Sequence, residues 1–259
     1  MAHYSLGTEG SPCLRCRLSK LCLPIALDSS DIKYLESIVE QYTLQKGEYL
    51  YRQNNNFHAV YAVRSGSFKS FTINYNGDTH INGFFFPGEL IGLDGLENRI
   101  HINNMQALEQ ASVCQIHFSR LKDLSLKIPK FQNHFFSLMG REINEGQEIN
   151  SLLSKRNAEQ RVVHLLLSIA QRLERLSLSS NNFFLPMART DIGIYLGLTT
   201  ETVSRIFSQL QNKKLISVNN REIKLLDLES LQEIIECSRA KHACQVPFTP
   251  YLDERITAI

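Results

Sequence analysis

Apolar and polar positions fall into three successive textures along the chain. From Asp28 to Tyr42, Ser and Asp capping candidates precede Ile32, Leu35, Ile38 and Val39 at helical spacing, which predicts one short amphipathic helix. From Thr43 to Phe118 the texture changes to short strands. Candidate strands cover Glu48–Arg52, Ala59–Arg64, Phe68–Ile73, His80–Phe86 and Ser112–Phe118. Turn signals at Gly47, Ser65-Gly66, Asn76-Gly77-Asp78, Pro87-Gly88 and Asp94-Gly95 punctuate them. So many short strands predict a small antiparallel barrel or roll. From Ser119 onward the pattern is helical: a long helix follows Ile128-Pro129 to about Leu153, and a second runs from Asn157 to about Leu176.

Within the long helix, Phe136, Met139, Ile143, Gly146, Asn150 and Leu153 recur at alternating three- and four-residue steps. Such a stripe suits a helix packed on its symmetry mate in a homodimer, and equally a core-facing helix within one subunit; periodicity does not separate the two. Gly146 and Asn150 weaken the seam, by roughly 1 kcal/mol for a mid-helix Gly relative to Ala, so a dimer built on it would be marginal, as a switch needs. The polar stretch from Ser177 to Asn182 closes the following helix.

Arg189 to Gln209 reads RTDIGIYLGLTTETVSRIFSQ. Gly193 is the small residue a helix–helix contact needs, and Gly197 supplies the turn. Ile192, Leu196, Leu198, Val203 and Ile206 fall where two helices must bury each other. The unit reads as a helix-turn-helix with Thr199 capping its second helix. On that helix Glu201, Ser204 and Arg205 lie at i, i+3 and i+4, opposite Val203, Ile206 and Phe207. Glu201 can accept from a cytosine amino group and Arg205 can donate twice to guanine, with Ser204 suited to either role. A solvated polar face is the plainer reading of the same residues. Thr200, Thr202 and Gln209 are expected to meet phosphate or solvent, and Lys213, Lys214 and Arg221 to neutralise phosphates. Lys214 to Leu226 predicts two short strands around Asn219-Asn220, a wing.

Composition sharpens this picture at three points. The chain has 259 residues, long enough for two domains. A formal net charge of +2 means that nucleic-acid binding must rest on a local basic surface. Six cysteines are too few for a disulfide scaffold, and Leu21 to Leu27 is a short run broken by Pro24, so neither a signal peptide nor a membrane span is expected. Reduced thiols in the cytoplasm are the expected setting.

The cysteines carry the remaining chemistry. Cys13, Cys16 and Cys22, spaced by two and then five residues in a basic stretch, can curl round one soft metal centre; Cys114 is the candidate fourth ligand. On residue type alone the three leading thiols are ambiguous between zinc and iron–sulfur, though the lack of a second Cys-x-x-Cys or a nearby His pair weakens zinc. Cys114 alternates with Ile116 and Phe118, which equally fits a buried core cysteine on the inward face of a strand. Cys237 and Cys244 lie in a C-terminal extension and are read as inert.

The leading Cys13-x2-Cys16-x5-Cys22 run, QALEQASVC ending at Cys114, LLSKRNAEQR at Leu152 to Arg161 and LGLTTETVSR at Leu196 to Arg205 together resemble the FNR branch of the CRP/FNR superfamily, the oxygen-responsive regulators. The resemblance covers roughly Cys13 to Ile235. It implies an α+β architecture: an N-terminal antiparallel β-roll of the cyclic-nucleotide-binding kind, a long dimerisation helix and a C-terminal winged helix-turn-helix. The corresponding division is 1–27 for cluster binding, 28–128 for the roll, 129–156 for dimerisation, 157–236 for DNA binding and 237–259 as an extension.

It further implies that Cys13, Cys16, Cys22 and Cys114 hold a [4Fe-4S] cluster when oxygen is scarce. In that state a homodimer reads a palindrome with TTGAT-like half-sites through Glu201, Ser204 and Arg205, and it contacts RNA polymerase to activate or repress, in part through a patch around Gly77 and Asp78. Two departures matter. Arg15, Arg17 and Lys20 place positive charge beside the site, and Gly146 stands where the family often has an acidic residue. A cyclic-nucleotide sensor is disfavoured: Gly88-Glu89 is present, but GLENRIHINN supplies no Arg-Ser pair for the cyclic phosphate. An iron–sulfur enzyme lacks any catalytic constellation. A thiol–disulfide switch on the same fold is the alternative kept.

Overall fold

Asp28 opens the first helix as expected, its Oδ1 accepting from the backbone N–H groups of Ser30 and Asp31 at 3.0 and 2.9 Å. The computed structural model describes Cys13, Cys16, Leu18, residues 22–176 and residues 178–236. The expectations placed on Arg15, Arg17, Lys20, Cys237, Cys244 and the C-terminal extension lie outside the described residues.

Helix α1 spans only Ser29–Ile38, after a 3-10 turn at Leu23–Ala26. The predicted helix to Tyr42 is corrected here: Val39–Leu44 is strand β1, paired antiparallel with β8 (Ala111–His117) from Val39↔Ile116 to Leu44↔Ala111. Val39, Tyr42 and Thr43 suit a pleated surface, and the waiting ladder overrides the helical period. The remaining roll strands are β2 (Tyr49–Tyr51), β3 (Ala59–Ser65), β4 (Phe68–Ile73), β5 (Thr79–Phe85), β6 (Leu90–Ile91) and β7 (Asn104–Ala107). They form two four-stranded sheets, β1-β8-β3-β6 and β2-β7-β4-β5. Three strands of the roll lie outside the candidate strands: β1 follows a helical period, β6 has only two residues, and β7 begins on the polar Asn104, which is buried and donates to the Phe71 carbonyl at 3.2 Å.

Leu44, Val63, Phe68, Ile91, Met105 and Val113 fill the space between the two sheets. The outer face of the first sheet is covered by α1, by α2 (Phe118–Lys127) and by the start of α3 (Pro129–Lys155). Val60, Ala62 and Ile116 meet Leu35, Leu121, Leu124, Phe131 and Phe135 there. Phe118, expected to end a strand, instead begins α2.

The outer face of the second sheet packs on the C-terminal part. Phe71, Ile81, Phe84 and Phe86 share a core with Val162, Leu166 and Ile169 of α4 (Ala158–Arg175) and with the helices beyond. Asn157 and Gln160 close α4 with a reciprocal capping box at 3.0 and 3.2 Å. The helix-turn-helix is α5 (Arg189–Leu196) and α6 (Thr200–Asn212), followed by β10 (Ile216–Asn219), β11 (Glu222–Leu225) and α7 (Leu228–Glu236). The wing has a third strand, β9 (Asn182–Phe184), paired with β11 where only a polar loop was expected.

Gly197 sits at φ 63°, the left-handed conformation the turn requires, and Leu198 N donates to the Gly193 carbonyl at 2.8 Å. A Cβ on Gly193 would lie 2.7 Å from the Leu198 carbonyl oxygen, so the two helices approach as closely as backbones allow. Gly193→Ala is therefore expected to destabilise the chain by about 1–3 kcal/mol through overpacking. A urea titration should show a lower midpoint with an unchanged slope.

Candidate metal centre and nucleic-acid interface

Strand β8 carries Cys114 in the interior of its sheet, opposite Gln41 of β1 on one side and Ala62 of β3 on the other. Alternation sends Val113 into the roll and turns Cys114 and Ile116 to the outer face, beneath the helices. Cys114 is therefore on the opposite side from the roll interior, where the inward-face reading would put it. Cys13, Cys16 and Leu18, the described residues before Cys22, lie against that outer face. Cys13, Cys16, Cys22 and Cys114 are free, half-buried thiols that line one cavity, whose walls include Leu23, Leu35, Ile116 and Arg64.

Across this cavity Cys114 and Cys16 act electrostatically on Cys13, and all three act on Cys22. Burial pushes the Cys13 thiol up to about 12, with Glu36, Cys114 and Cys16 adding to the rise and Arg64 opposing it. Burial likewise pushes Cys22 up to about 12 and raises Cys114, which Arg64 again opposes. Without a metal these three thiols hold their protons at neutral pH, so any metal that binds must displace them.

Among the described residues no three His, Cys, Asp or Glu side chains converge closely enough for a single metal ion. Four thiols around an apolar cavity are donors of the soft kind that an iron–sulfur core takes. The backbone supports the arrangement: Cys13 N donates to Glu36 at 2.6 Å, and Cys22 N to the Leu18 carbonyl at 2.8 Å. The cavity also touches α3. Leu23, beside Cys22, packs with Phe131, Phe135 and Leu138, and the His134 Nε2 lies 3.1 Å from the Cys22 carbonyl oxygen.

Helix α3 turns Phe131, Phe135, Leu138 and Leu152 inward, while Phe136 and Ile143 are 56% and 59% exposed. Gly146 and Asn150 are exposed as well, and Met139 and Leu153 are half-buried. Most of the stripe thus faces away from the chain's own core, while Met139 at its edge packs against the Phe131, Phe135 and Leu138 cluster.

On α6, Val203, Ile206, Phe207 and Leu210 are buried, and Glu201, Ser204 and Arg205 project outward together. Thr199 Oγ1 accepts from Thr202 N at 3.2 Å, and Thr200 is half-buried at the first turn. A backbone hydrogen bond at the helix start, joined by the Thr199 side chain, lowers the Glu201 carboxyl, which keeps it ionised as an acceptor. Not all the expected phosphate contacts are free: Lys213 pairs with Glu159 at 2.7 Å and Arg221 donates to the Pro186 carbonyl at 3.0 Å. Lys214 occupies the left-handed turn into the wing at φ 58°.

Two arginines that the sequence reading passed over tie these regions together. Arg161 donates to the carbonyls of Leu153 at 2.7 Å and Leu196 at 3.0 Å, clamping the end of α3 to the end of α5. Arg172 of α4 donates to the Phe84 carbonyl at 2.9 Å and pairs with Glu89 at 3.2 Å and Glu145 at 2.7 Å. Lys69 and Asp191 at 2.8 Å, and the Phe84 and Tyr195 rings at 5.0 Å, complete the seam between roll and helix-turn-helix. Arg161 does stand in the LLSKRNAEQR motif, whereas no local pattern marks Arg172, whose partners lie 83 and 27 residues away.

Comparison with known proteins agrees with both halves. The Crp-like helix-turn-helix domain matches residues 160–234 and the cyclic nucleotide-binding domain matches residues 41–127. The chain is 42% identical to the transcriptional activator protein Anr of Pseudomonas protegens over 83% of this chain and 88% of that one. It is 39% identical to the fumarate and nitrate reduction regulatory protein of Vibrio cholerae, over 88% and 91% of the two chains. Among solved structures, FixK2 from Bradyrhizobium japonicum superposes with a TM-score of 0.70 at 28% identity, covering 76% of this chain and 97% of that one.

The Arg172 seam generates a pH dependence. Burial, then the Glu89 and Glu145 carboxylates, push the Glu142 carboxyl up to about 8 against Arg172. Burial pushes Glu89 up to about 7, with Arg172 opposing and Glu145 adding. An acid whose pKa is higher folded than unfolded binds extra protons in the folded state, so stability is present at low pH and falls as pH rises through the folded values. Unfolding free energy should drop between about pH 5 and pH 8 by an amount on the order of a few kcal/mol. Glu142→Gln should flatten that slope in denaturant titrations repeated across the range.

Proposed function

Because this chain belongs to the FNR-type branch of the CRP/FNR superfamily, we propose that it is an oxygen-responsive transcriptional regulator that binds palindromic DNA as a homodimer. The observation that carries this reading is the shared cavity: four thiols from two distant parts of the chain meet on the face of the roll that α3 packs against. Cys13, Cys16, Cys22 and Cys114 would hold a [4Fe-4S] cluster, which supplies an oxygen-labile core that can tie the four together. The proposed division of labour is 1–27 for the cluster, 28–128 for the roll, 129–156 for dimerisation and 157–236 for DNA.

The chain's own residues carry the signal onward. With Cys13, Cys16 and Cys22 tied to Cys114, the leading segment would be fixed against β8 and Leu23 held in the apolar cluster it shares with Phe131, Phe135 and Leu138 of α3. Release of that tie loosens the inward side of α3, and with it the outward stripe of Phe136, Met139, Ile143, Gly146, Asn150 and Leu153. Pairing of that stripe between two copies would cover Phe136 and Ile143, and it would set two α6 helices for successive major grooves. Glu201 and Arg205 then read cytosine and guanine edges in TTGAT-like half-sites, Ser204 assists, and the Thr199–Thr200 turn approaches phosphate.

RNA polymerase is the proposed partner of the β4–β5 hairpin tip, where Gly77 and Asp78 are exposed and Tyr75 projects fully into solvent. A cyclic nucleotide is not proposed as ligand. The Glu89 carboxylate is turned to Arg172, and Asp94 closes its own loop by accepting from Tyr51 Oη and from the N–H groups of Ile102 and Asn103. No described helix is long and apolar enough to cross a membrane, and a cytoplasmic setting that keeps thiols reduced suits the cysteines.

Purification without air tests the reading. Brown protein holding iron and sulfide, losing both colour and operator affinity on exposure to air, is the expected result; Cys114→Ser should retain little iron. Colourless anaerobic protein whose DNA binding still responds to oxidant would favour a thiol–disulfide switch, which the four free thiols in one cavity also permit. Arg205→Ala should weaken binding to the palindrome by about 1–3 kcal/mol, roughly tenfold to a hundredfold, while leaving binding to scrambled DNA unchanged in fluorescence anisotropy.

A further inference from the structure

Among the described residues lining the thiol cavity, Arg64 is the one formal charge. Three features of the sheet place it there. Cys114 faces Gln41 on β1 and Ala62 on β3, so these three side chains stand in one cross-strand row on the cavity side. Arg64, two residues beyond Ala62, also lines the cavity. It is also the extra residue of a bulge: Val63 pairs with Val113 and Ser65 with Ser112, leaving Arg64 without an opposite number on β8. From this position its guanidinium donates to the Gln41 side-chain oxygen on β1. Strand β8 lies between β1 and β3, so the side chain spans β8 on the same face as the Cys114 sulfur.

We propose that Arg64 is a positioning and charge-balancing residue for the metal centre, a fixed cation held over the Cys114 side by the β3 bulge and by Gln41. The proposal rests on the cluster reading above and deepens it. A core bound by four thiolates carries net negative charge, and an adjacent cation favours the more reduced, more negative state. Arg64 would thus set how readily the centre is oxidised, with no part in DNA contact. The bulge and the Gln41 bond, both formed by roll residues, orient the cation independently of the leading segment.

The test uses the full chain purified without air as wild type, Arg64→Met, Arg64→Lys and Gln41→Ala. Iron and sulfide content, the reduction midpoint of the centre and the rate at which its visible absorbance decays in measured oxygen are compared. Arg64→Met should load iron as wild type does, show a lower midpoint and decay faster by a factor on the order of ten, the weight of one unit charge at several ångströms through a high effective dielectric. Arg64→Lys should restore midpoint and decay to near wild type, and Gln41→Ala should fall between. The thermal midpoint of the metal-free proteins separates a charge effect from loss of fold, since Met preserves the aliphatic stem. Equal midpoints and decay rates in wild type and Arg64→Met, at equal iron content, would overturn the proposal while leaving the cluster reading intact. Wild-type protein without iron or sulfide would overturn both.

Discussion

The functional organisation depends on one consequence of strand geometry, the alternation of side chains along β8. Val113 points into the space between the sheets, and its neighbour Cys114 points the other way, to the face on which α1, α3 and the leading segment lie. A one-residue slip in the β1–β8–β3 register would bury the thiol inside the roll, out of reach of Cys13, Cys16 and Cys22. The register is held from both sides, by Gln41 and Ala62, and the strand sits in the interior of its sheet, where slippage would cost two ladders at once. The fourth thiol thereby sits on a strand held from both sides, beside Cys13, Cys16 and Cys22.

Proximity to α3 gives that pairing a route outward. Phe131, Phe135 and Leu138 form one side of the helix and meet the Cys22–Leu23 turn, while Phe136 and Ile143 form the other and meet solvent. In the proposed mechanism a change on the inward side would be carried through a single continuous helix, because a 27-residue helix bonded along its length moves as a rod more readily than it deforms locally. Its far end is fixed in turn: Arg161 bonds the Leu153 and Leu196 carbonyls, coupling the last turn of α3 to the turn that presents α6. The second route, through Arg172, Glu89 and Glu145, joins roll, α3 and α4 at a buried charge cluster. Such a cluster contributes little net stability but is costly to break one partner at a time, which favours movement of the three elements together.

Much of this was legible from local pattern. The helix-turn-helix was readable because Gly193, Gly197 and the apolar positions around them meet several requirements at once, and each is satisfied by a contact of one helical turn's reach. The strand Phe68–Ile73 and the helix after Pro129 were equally plain, one from its boundaries and the other from its missing N–H. Val39–Leu44 was misread because β-branched and aromatic residues followed a capped helical stretch, and only the β8 ladder decides between the two periods. The strand β9 and the pairing of Lys213 with Glu159 were invisible for the same reason: their partners lie far away in the chain.

Residue order alone determined the three textures of the chain, the capped starts of α1 and α6, the outward trio Glu201, Ser204 and Arg205, and the presence of four thiols suited to soft metal chemistry. It left open which side of β8 Cys114 occupies, which stripe of α3 stays uncovered, and which cations stand beside the sulfurs. Those were decided by the tertiary structure. Local spacing dictates which side chains share a face of one element, but which face meets which partner is set by pairing and packing across tens of residues, and by bulges such as the one at Arg64 that no spacing rule encodes.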